Sequence, residues 1–154
     1  MGRSRQDSEA LHQEVRDRLA GADHLYTTGR RRLVELLSEV ARPVTIPRLV
    51  AIHPEVALSS AYRNMAVLEQ VGIVARIVSG GEHARFELTE AVMGHHHHHL
   101  ICQSCGRVDD FTVPDAVEQT IESALAEVAT GSAFVTASHR LDLVGTCGTC
   151  ATPS

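Results

Sequence analysis

The chain has no Trp and no Lys, and aromatic residues fill only 3% of its 154 positions. Without large rings the core has to come from Leu, Val, Ile and Ala. A hydrophobic content of 44% is enough for one ordinary domain or two small ones. No run approaches the roughly 18 apolar residues of a membrane span, and the opening MGRSRQDSEA lacks the apolar stretch of a signal peptide. A cytoplasmic protein without a membrane partner is therefore expected. Cysteine is scarce but not scattered: all four lie in two Cys-x-x-Cys pairs, Cys102/Cys105 and Cys147/Cys150. Pairs of this kind in a reducing compartment more often hold metal than form disulfides.

With no Lys, every positive charge is an Arg, and the net charge of −5 is unevenly spread. Residues 1–85 carry 12 Arg against 10 acidic residues, a net +2, whereas residues 86–154 carry 2 against 9, a net −7. A basic first half joined to an acidic, His- and Cys-rich second half suggests DNA binding in one and cation binding in the other.

Leu11, Val15 and Leu19 recur at four-residue steps, which predicts a first amphipathic helix capped by Asp7 or Ser8. TTGRRRLVELLSEVA predicts a second, with Leu33, Leu36, Leu37 and Val40 inward, Thr28 as cap and Pro43 as its end. Thr45 and Pro47 open a short third helix that Pro54 stops. Ser59 or Ser60 opens a fourth, with Ala61, Met65 and Leu68 inward and Gly72 as its stop. IVARIV and HARFEL then alternate on either side of SGGE, as a β-hairpin does. Helices followed by a hairpin give the order of a winged helix-turn-helix.

In that arrangement the last helix before the hairpin enters the major groove by its N-terminal residues. These are Ser59, Ser60, Tyr62, Arg63 and Asn64. Tyr62 suits a thymine methyl or a phosphate, Arg63 a guanine edge or a phosphate, and Asn64 an adenine edge. The bland alternative is that Tyr62 packs and Arg63 is solvated. Arg30, Arg31 and Arg32 stand at the start of the second helix, where positive charge opposes the helix dipole unless phosphate neutralises it. Arg30 is accordingly a candidate backbone contact.

Two residues between thiolates let both sulfurs reach one Zn²⁺, and two such knuckles complete a tetrahedral site of Cys102, Cys105, Cys147 and Cys150. Dithiol redox motifs compete with this reading, but a redox site needs only one pair. Five histidines, residues 95–99, run directly into the first knuckle. A purification tag would be terminal; a solvated His-rich loop is the stronger alternative. The apolar, β-prone LIC that follows predicts an extended segment, so His97 and His99 face one way and His96 and His98 the other. Glu87, Asp109, Asp110, Glu118 in the helix PDAVEQTIESALAEVA and His139 on the predicted strand SHRLDLVG are the remaining candidate ligands.

Together YTTGR, SSAYRNMAVLEQVGIV, RFEL, the His run with LICQSCGRVDDF, and HRLDLVGTCGTC resemble the ferric-uptake-regulator (Fur) family of metal-responsive repressors from about residue 24 to 150. Ser60, Ala61 and Met65 depart from the family's recognition-helix pattern. The resemblance implies an α+β protein made of an N-terminal winged helix-turn-helix domain (1–88), a hinge (89–95) and a small C-terminal α/β dimerisation domain (96–154). It implies a homodimer that binds inverted-repeat double-stranded DNA operators when a regulatory divalent metal is held. It also implies a hinge site of Glu87, His97 and His99 and a dimerisation-domain site of His96, His98, Glu118 and His139, with Asp115 and Glu122 as rivals to Glu118. Many members have a His just before the third helix where this chain has Arg42-Pro43, so His83 in the wing is the expected substitute. Asp110 falls where peroxide-sensing members use an Asp. His and carboxylate ligands without Cys suit Fe²⁺, Mn²⁺, Zn²⁺ or Ni²⁺ beside the structural Zn²⁺.

Two other classes compete. A zinc hydrolase would need an open ligand position and a placed general base, and no H-E-x-x-H helix is present. A metal-storage protein or metallochaperone explains the His run but predicts no DNA affinity.

Overall fold

Leu11, Val15 and Leu19 are almost wholly buried in the computed structural model of the chain, which describes residues 5–79 and 83–152. They form the inner face of α1 (Arg5–Gly21), which begins ahead of the expected caps and places Asp7 in its first turn. α2 (Thr28–Val40) buries Leu33, Val34, Leu36 and Leu37. Its cap is Thr27 rather than Thr28: the Thr27 side chain accepts from the Arg30 backbone N–H at 3.4 Å. The helix ends at Ala41 in the left-handed region, two residues before Pro43. A two-residue strand β1 (Val44–Thr45) leads into α3 (Ile46–Ile52), where Thr45 caps and Pro47 occupies the first turn as expected.

α4 (Leu58–Gln70) buries Ala61, Met65 and Leu68, but starts from Ala57, so Ser59 and Ser60 lie within its first turn and cap nothing. Gly72, at φ +74°, ends it in a conformation that an L side chain rarely adopts. β2 (Val74–Ile77) and β3 (Arg85–Leu88) pair antiparallel from Val74↔Leu88 to Ile77↔Arg85, and β1 adds to the other side of β3. Residues 80–82 of the expected SGGE turn lie outside the described residues. Full burial of a Leu, Ile or Met side chain contributes about 1.5–3 kcal/mol. Leu19, Leu33, Leu36, Ile46, Leu49, Met65 and Leu68 are all in that condition, so the core of the first half lies among these helices.

The segment 89–95 is not plain linker. It contains one helical turn, α5 (Glu90–Met93), whose Val92 is buried in the first half's core with Met93 packed against it. The second half is a sheet of order β5-β4-β6, built from β4 (His98–Cys102), β5 (Val108–Phe111) and, after α6 (Asp115–Gly131), β6 (Asp142–Gly145); α7 (Gly148–Ala151) follows. β4 pairs antiparallel with β5 and parallel with β6, which brings the end of the chain beside the His run. β6 is shorter than the predicted strand, so His139 precedes it. The wing rests on this sheet: Ser79 Oγ and Arg85 Nε both donate to the Gly106 carbonyl, at 2.9 and 2.6 Å, and Ile77 packs with Ile101 and Val108.

Candidate metal centres and nucleic-acid interface

The antiparallel turn from β4 to β5 carries Cys102 and Cys105, and the parallel β6 delivers Cys147 and Cys150 to the same end of the sheet. The four sulfurs lie within 4.8 Å of one another. Cys105 Sγ and Cys147 Sγ are 3.8 Å apart. Tetrahedral arms of about 2.3 Å put sulfurs about 3.8 Å apart, so the spacing fits zinc. The Cys147 backbone N–H donates to Cys102 Sγ at 3.2 Å. That bond and one from the Cys105 backbone bring the Cys102 thiol down to about 6, while the thiols of Cys147 and Cys105 push Cys150 up to about 12. Four crowded sulfurs cannot all ionise unless a cation balances them.

The second group straddles the junction of the two halves. Glu87 on β3, His97 just ahead of β4, His99 on β4 and Asp110 on β5 offer ligand atoms within 4.8 Å of one another. Glu87 is buried, with His99 Nε2 at 2.8 Å from one oxygen and His97 Nε2 at 3.2 Å from the other. Burial opposes ionisation of Glu87, but its hydrogen bonds with His97 and His99 outweigh this and bring it down to about 2. The Glu87 hydrogen bond raises His97 above 6.5; for His99 burial opposes the rise, and Glu87 and Asp142 overcome it. Asp110 is raised by burial and by the Glu87 charge.

His83 is not brought to this group. It is exposed, it precedes β3, and it is not among the side chains whose ligand atoms gather at Glu87. Asp110 stands in its place because β5 pairs His99 directly with Asp110. Asp142, which sequence reasoning missed, lies behind His99, with Oδ1 3.2 Å from Nδ1. Its only sequence signal is an acidic residue in the middle of the predicted strand SHRLDLVG.

On the opposite face of β4, His96, His98, Glu118 and His139 form a third group. His98 Nε2 is 2.9 Å from Glu118 Oε2, while His96 Nε2 and His139 Nε2 are 3.3 and 2.9 Å from Glu118 Oε1. His96 Nε2, His139 Nε2 and Glu118 Oε1 are buried yet lack hydrogen-bond geometry. Convergence without donor–acceptor alignment is how ligands surround a shared centre, so these residues fit a divalent cation. α6 turns Glu118 inward and leaves Asp115 and Glu122 exposed. His98 holds Glu118 below the usual carboxylate range, with burial opposing and His96 and His139 adding to the effect.

On α4, Ser59, Tyr62 and Arg63 are exposed, and Ser60 and Asn64 are half-buried. Asn64 Nδ2 lies 3.1 Å from where a Cβ at Gly29 would sit, so its amide is packed against the start of α2, an approach that glycine permits. Arg30 is half-buried and donates to the exposed Leu25 carbonyl, while Arg31 pairs with Glu35 and Arg32 with Glu35 and Glu55.

A three-stranded winged helix-turn-helix half and a metal-ligating sheet half together define a two-part protein built to bind cations beside a DNA-binding fold. The profile of the ferric uptake regulator family matches residues 23–144. The ferric uptake regulation protein of Bordetella parapertussis is 40% identical over 102 residues, 66% of this chain and 68% of that protein. The peroxide-responsive repressor PerR of Staphylococcus epidermidis is 33% identical over 99 residues, 63% of this chain and 59% of that one. The Vibrio cholerae ferric uptake regulator superposes with a TM-score of 0.64 at 28% identity, covering 84% of this chain and 96% of that one. The chain belongs to the ferric uptake regulator family of metal-responsive transcriptional regulators.

Proposed function

We propose that this chain is a metal-dependent repressor of metal-homeostasis genes, acting in the cytoplasm as a homodimer on inverted-repeat operators, and not an enzyme. The observation that carries the proposal is the placement of Glu87, on the wing strand, against His97 and His99 of the second half. A divalent cation held by Glu87, His97, His99 and Asp110 would supply the charge that keeps the carboxylates ionised and the imidazoles neutral while the two halves stay joined. Fe²⁺, Mn²⁺, Zn²⁺ and Ni²⁺ all suit this donor set.

Residues 1–88 are the DNA-binding domain in this reading, 89–95 the hinge and 96–154 the dimerisation domain. Glu87 belongs to the first, and His97, His99 and Asp110 to the last, so their joint orientation fixes the angle between domains. Fixed angles in a dimer let both recognition helices meet the major groove about 34 Å apart, one turn of DNA. Ser59, Tyr62 and Arg63 are the side chains presented for that contact. Support for a homodimer comes from α6, which buries no residue in the single chain, and from the exposed Val128, Phe134, Leu143 and Val144.

The test is a His97→Ala/His99→Ala variant. It is expected to lose metal-dependent operator binding while remaining a folded dimer with its Cys-bound zinc; unchanged metal dependence contradicts the proposal.

A further inference from the structure

Glu90 lies on α5, yet its carboxylate serves the other half of the molecule. Oε1 lies 2.6 Å from His96 Nδ1 as an ion pair and accepts a hydrogen bond from the His97 backbone N–H at 3.4 Å. The helix that carries it is fixed to the first half. Thr89 Oγ1 donates to the Gly72 carbonyl at 2.8 Å, the Thr89 N–H donates to the Ile73 carbonyl at 3.0 Å, and Val92 is buried in the first half's core. His96 meanwhile directs its other nitrogen, Nε2, at Glu118 and the cluster with His98 and His139.

We infer that Glu90 is a positioning residue that ties the His96, His98, Glu118 and His139 group to the DNA-binding half. A ligating histidine needs a lone pair on one nitrogen, and a carboxylate that accepts the N–H of the other fixes that tautomer and the ring's direction. Glu90 Oε1, 2.6 Å from Nδ1, is placed to do this for His96. The group therefore does not lie wholly within the second half: one of its four side chains is oriented from the first. Coupling of this kind is reciprocal, so a cation that favours the held orientation of His96 favours the docked position of α5 by the same factor. The dimerisation-domain group thereby joins the hinge group in setting the arrangement of the two halves.

The inference rests on reading these four side chains as a metal site, and the experiment separates the two. Full-length protein with its Cys-bound zinc retained and the hinge group removed by His97→Ala/His99→Ala is titrated with Co²⁺, whose visible spectrum reports binding. Amide exchange is followed at residues 89–94. Co²⁺ is expected to slow exchange there. Glu90→Ala is expected to weaken Co²⁺ binding about 10- to 100-fold and abolish the slowing, as outer-shell carboxylates do. Glu90→Gln, which keeps an acceptor oxygen, restores most of both, a rescue that a merely structural role would not give. Co²⁺ binding that leaves exchange in 89–94 unchanged overturns the inference alone, as does a Glu90→Ala protein with unaltered affinity and slowing. No Co²⁺ binding that depends on His96 overturns the metal-site reading and the inference together.

Discussion

His99 stands between two carboxylates: Nε2 lies 2.8 Å from Glu87 Oε1 and Nδ1 lies 3.2 Å from Asp142 Oδ1. Glu87 belongs to the wing strand and Asp142 to β6, so one imidazole on β4 links both sheets. With Nδ1–H donated to Asp142, Nε2 is the nitrogen left to face Glu87 and a cation.

This relationship predicts how metal affinity depends on pH. His97 and His99 are held above 6.5, so each must give up its proton before its Nε2 can ligate. Affinity of the hinge group for Zn²⁺ should rise with pH from 6.5 upward, by about one log unit per pH unit for each proton displaced, and level off once the raised values are passed. The metal-free junction follows the opposite course. The histidine contribution is full below 6.5 and is lost as pH rises through the raised values, while that of Glu87 is present above 4.5 and lost as pH falls towards about 2. Competition titrations with a chelator at several pH values measure the slope, and a flat profile contradicts the assignment.

Zinc in the cysteine site is expected to be indispensable to the second half. Among the described residues that half buries only Ile101, Cys102 and Val108 as apolar side chains, too few for a core. A structural zinc contributes about 10–16 kcal/mol in zinc-finger peptides, comparable to the whole net stability of a domain, about 5–15 kcal/mol. Cys105→Ser should remove the bound zinc and broaden or abolish the cooperative melt. Because Ser79 and Arg85 donate to Gly106 beside that site, amide exchange in β2 and β3 should quicken too.

On the recognition helix, Arg63→Ala should weaken operator binding by about 1–3 kcal/mol if Arg63 reads a base edge, and relax specificity at one position. If it contacts phosphate, binding should weaken uniformly across sequences, with a shallower salt dependence. Asn64→Ala should act mainly on stability, because its amide packs against Gly29. An Asn64→Ala protein of unchanged melting temperature but altered base preference contradicts this.

The uncovered apolar face predicts the outcome of a charge insertion. Val128 and Phe134 are 66% and 68% exposed, so Val128→Asp/Phe134→Asp costs the single chain little. The variant should run as a species near 16.7 kDa by light scattering, against twice that for the parent. An unshifted mass places the dimer contact elsewhere.

Long periodic segments were legible in the sequence. Leu11, Val15 and Leu19, and Ala61, Met65 and Leu68, announce their buried faces at helical spacing, and Gly72 marks a stop that its positive φ explains. β1 and α5 were not legible, since two residues and one helical turn are too short to show a period. Thr45 caps α3 as expected, whereas the cap of α2 falls on Thr27 instead of the adjacent Thr28, a choice that backbone geometry decides. At the metal groups, strand alternation separated His97 and His99 from His96 and His98, but pairing across strands chose the partners. Asp110 replaces His83 through its register with His99, and Asp142 and Glu90 enter through contacts that no local pattern encodes.

The most direct measurement is a titration of operator binding with Zn²⁺, Mn²⁺, Fe²⁺ and Ni²⁺ at fixed salt, on protein that retains its Cys-bound zinc, comparing a palindromic site with random DNA. At least one metal is expected to raise affinity for the palindrome by about 5- to 150-fold and to leave random DNA nearly unaffected. Equal affinity with and without every metal contradicts a metal-dependent repressor, and metal binding without specific DNA binding points instead to storage.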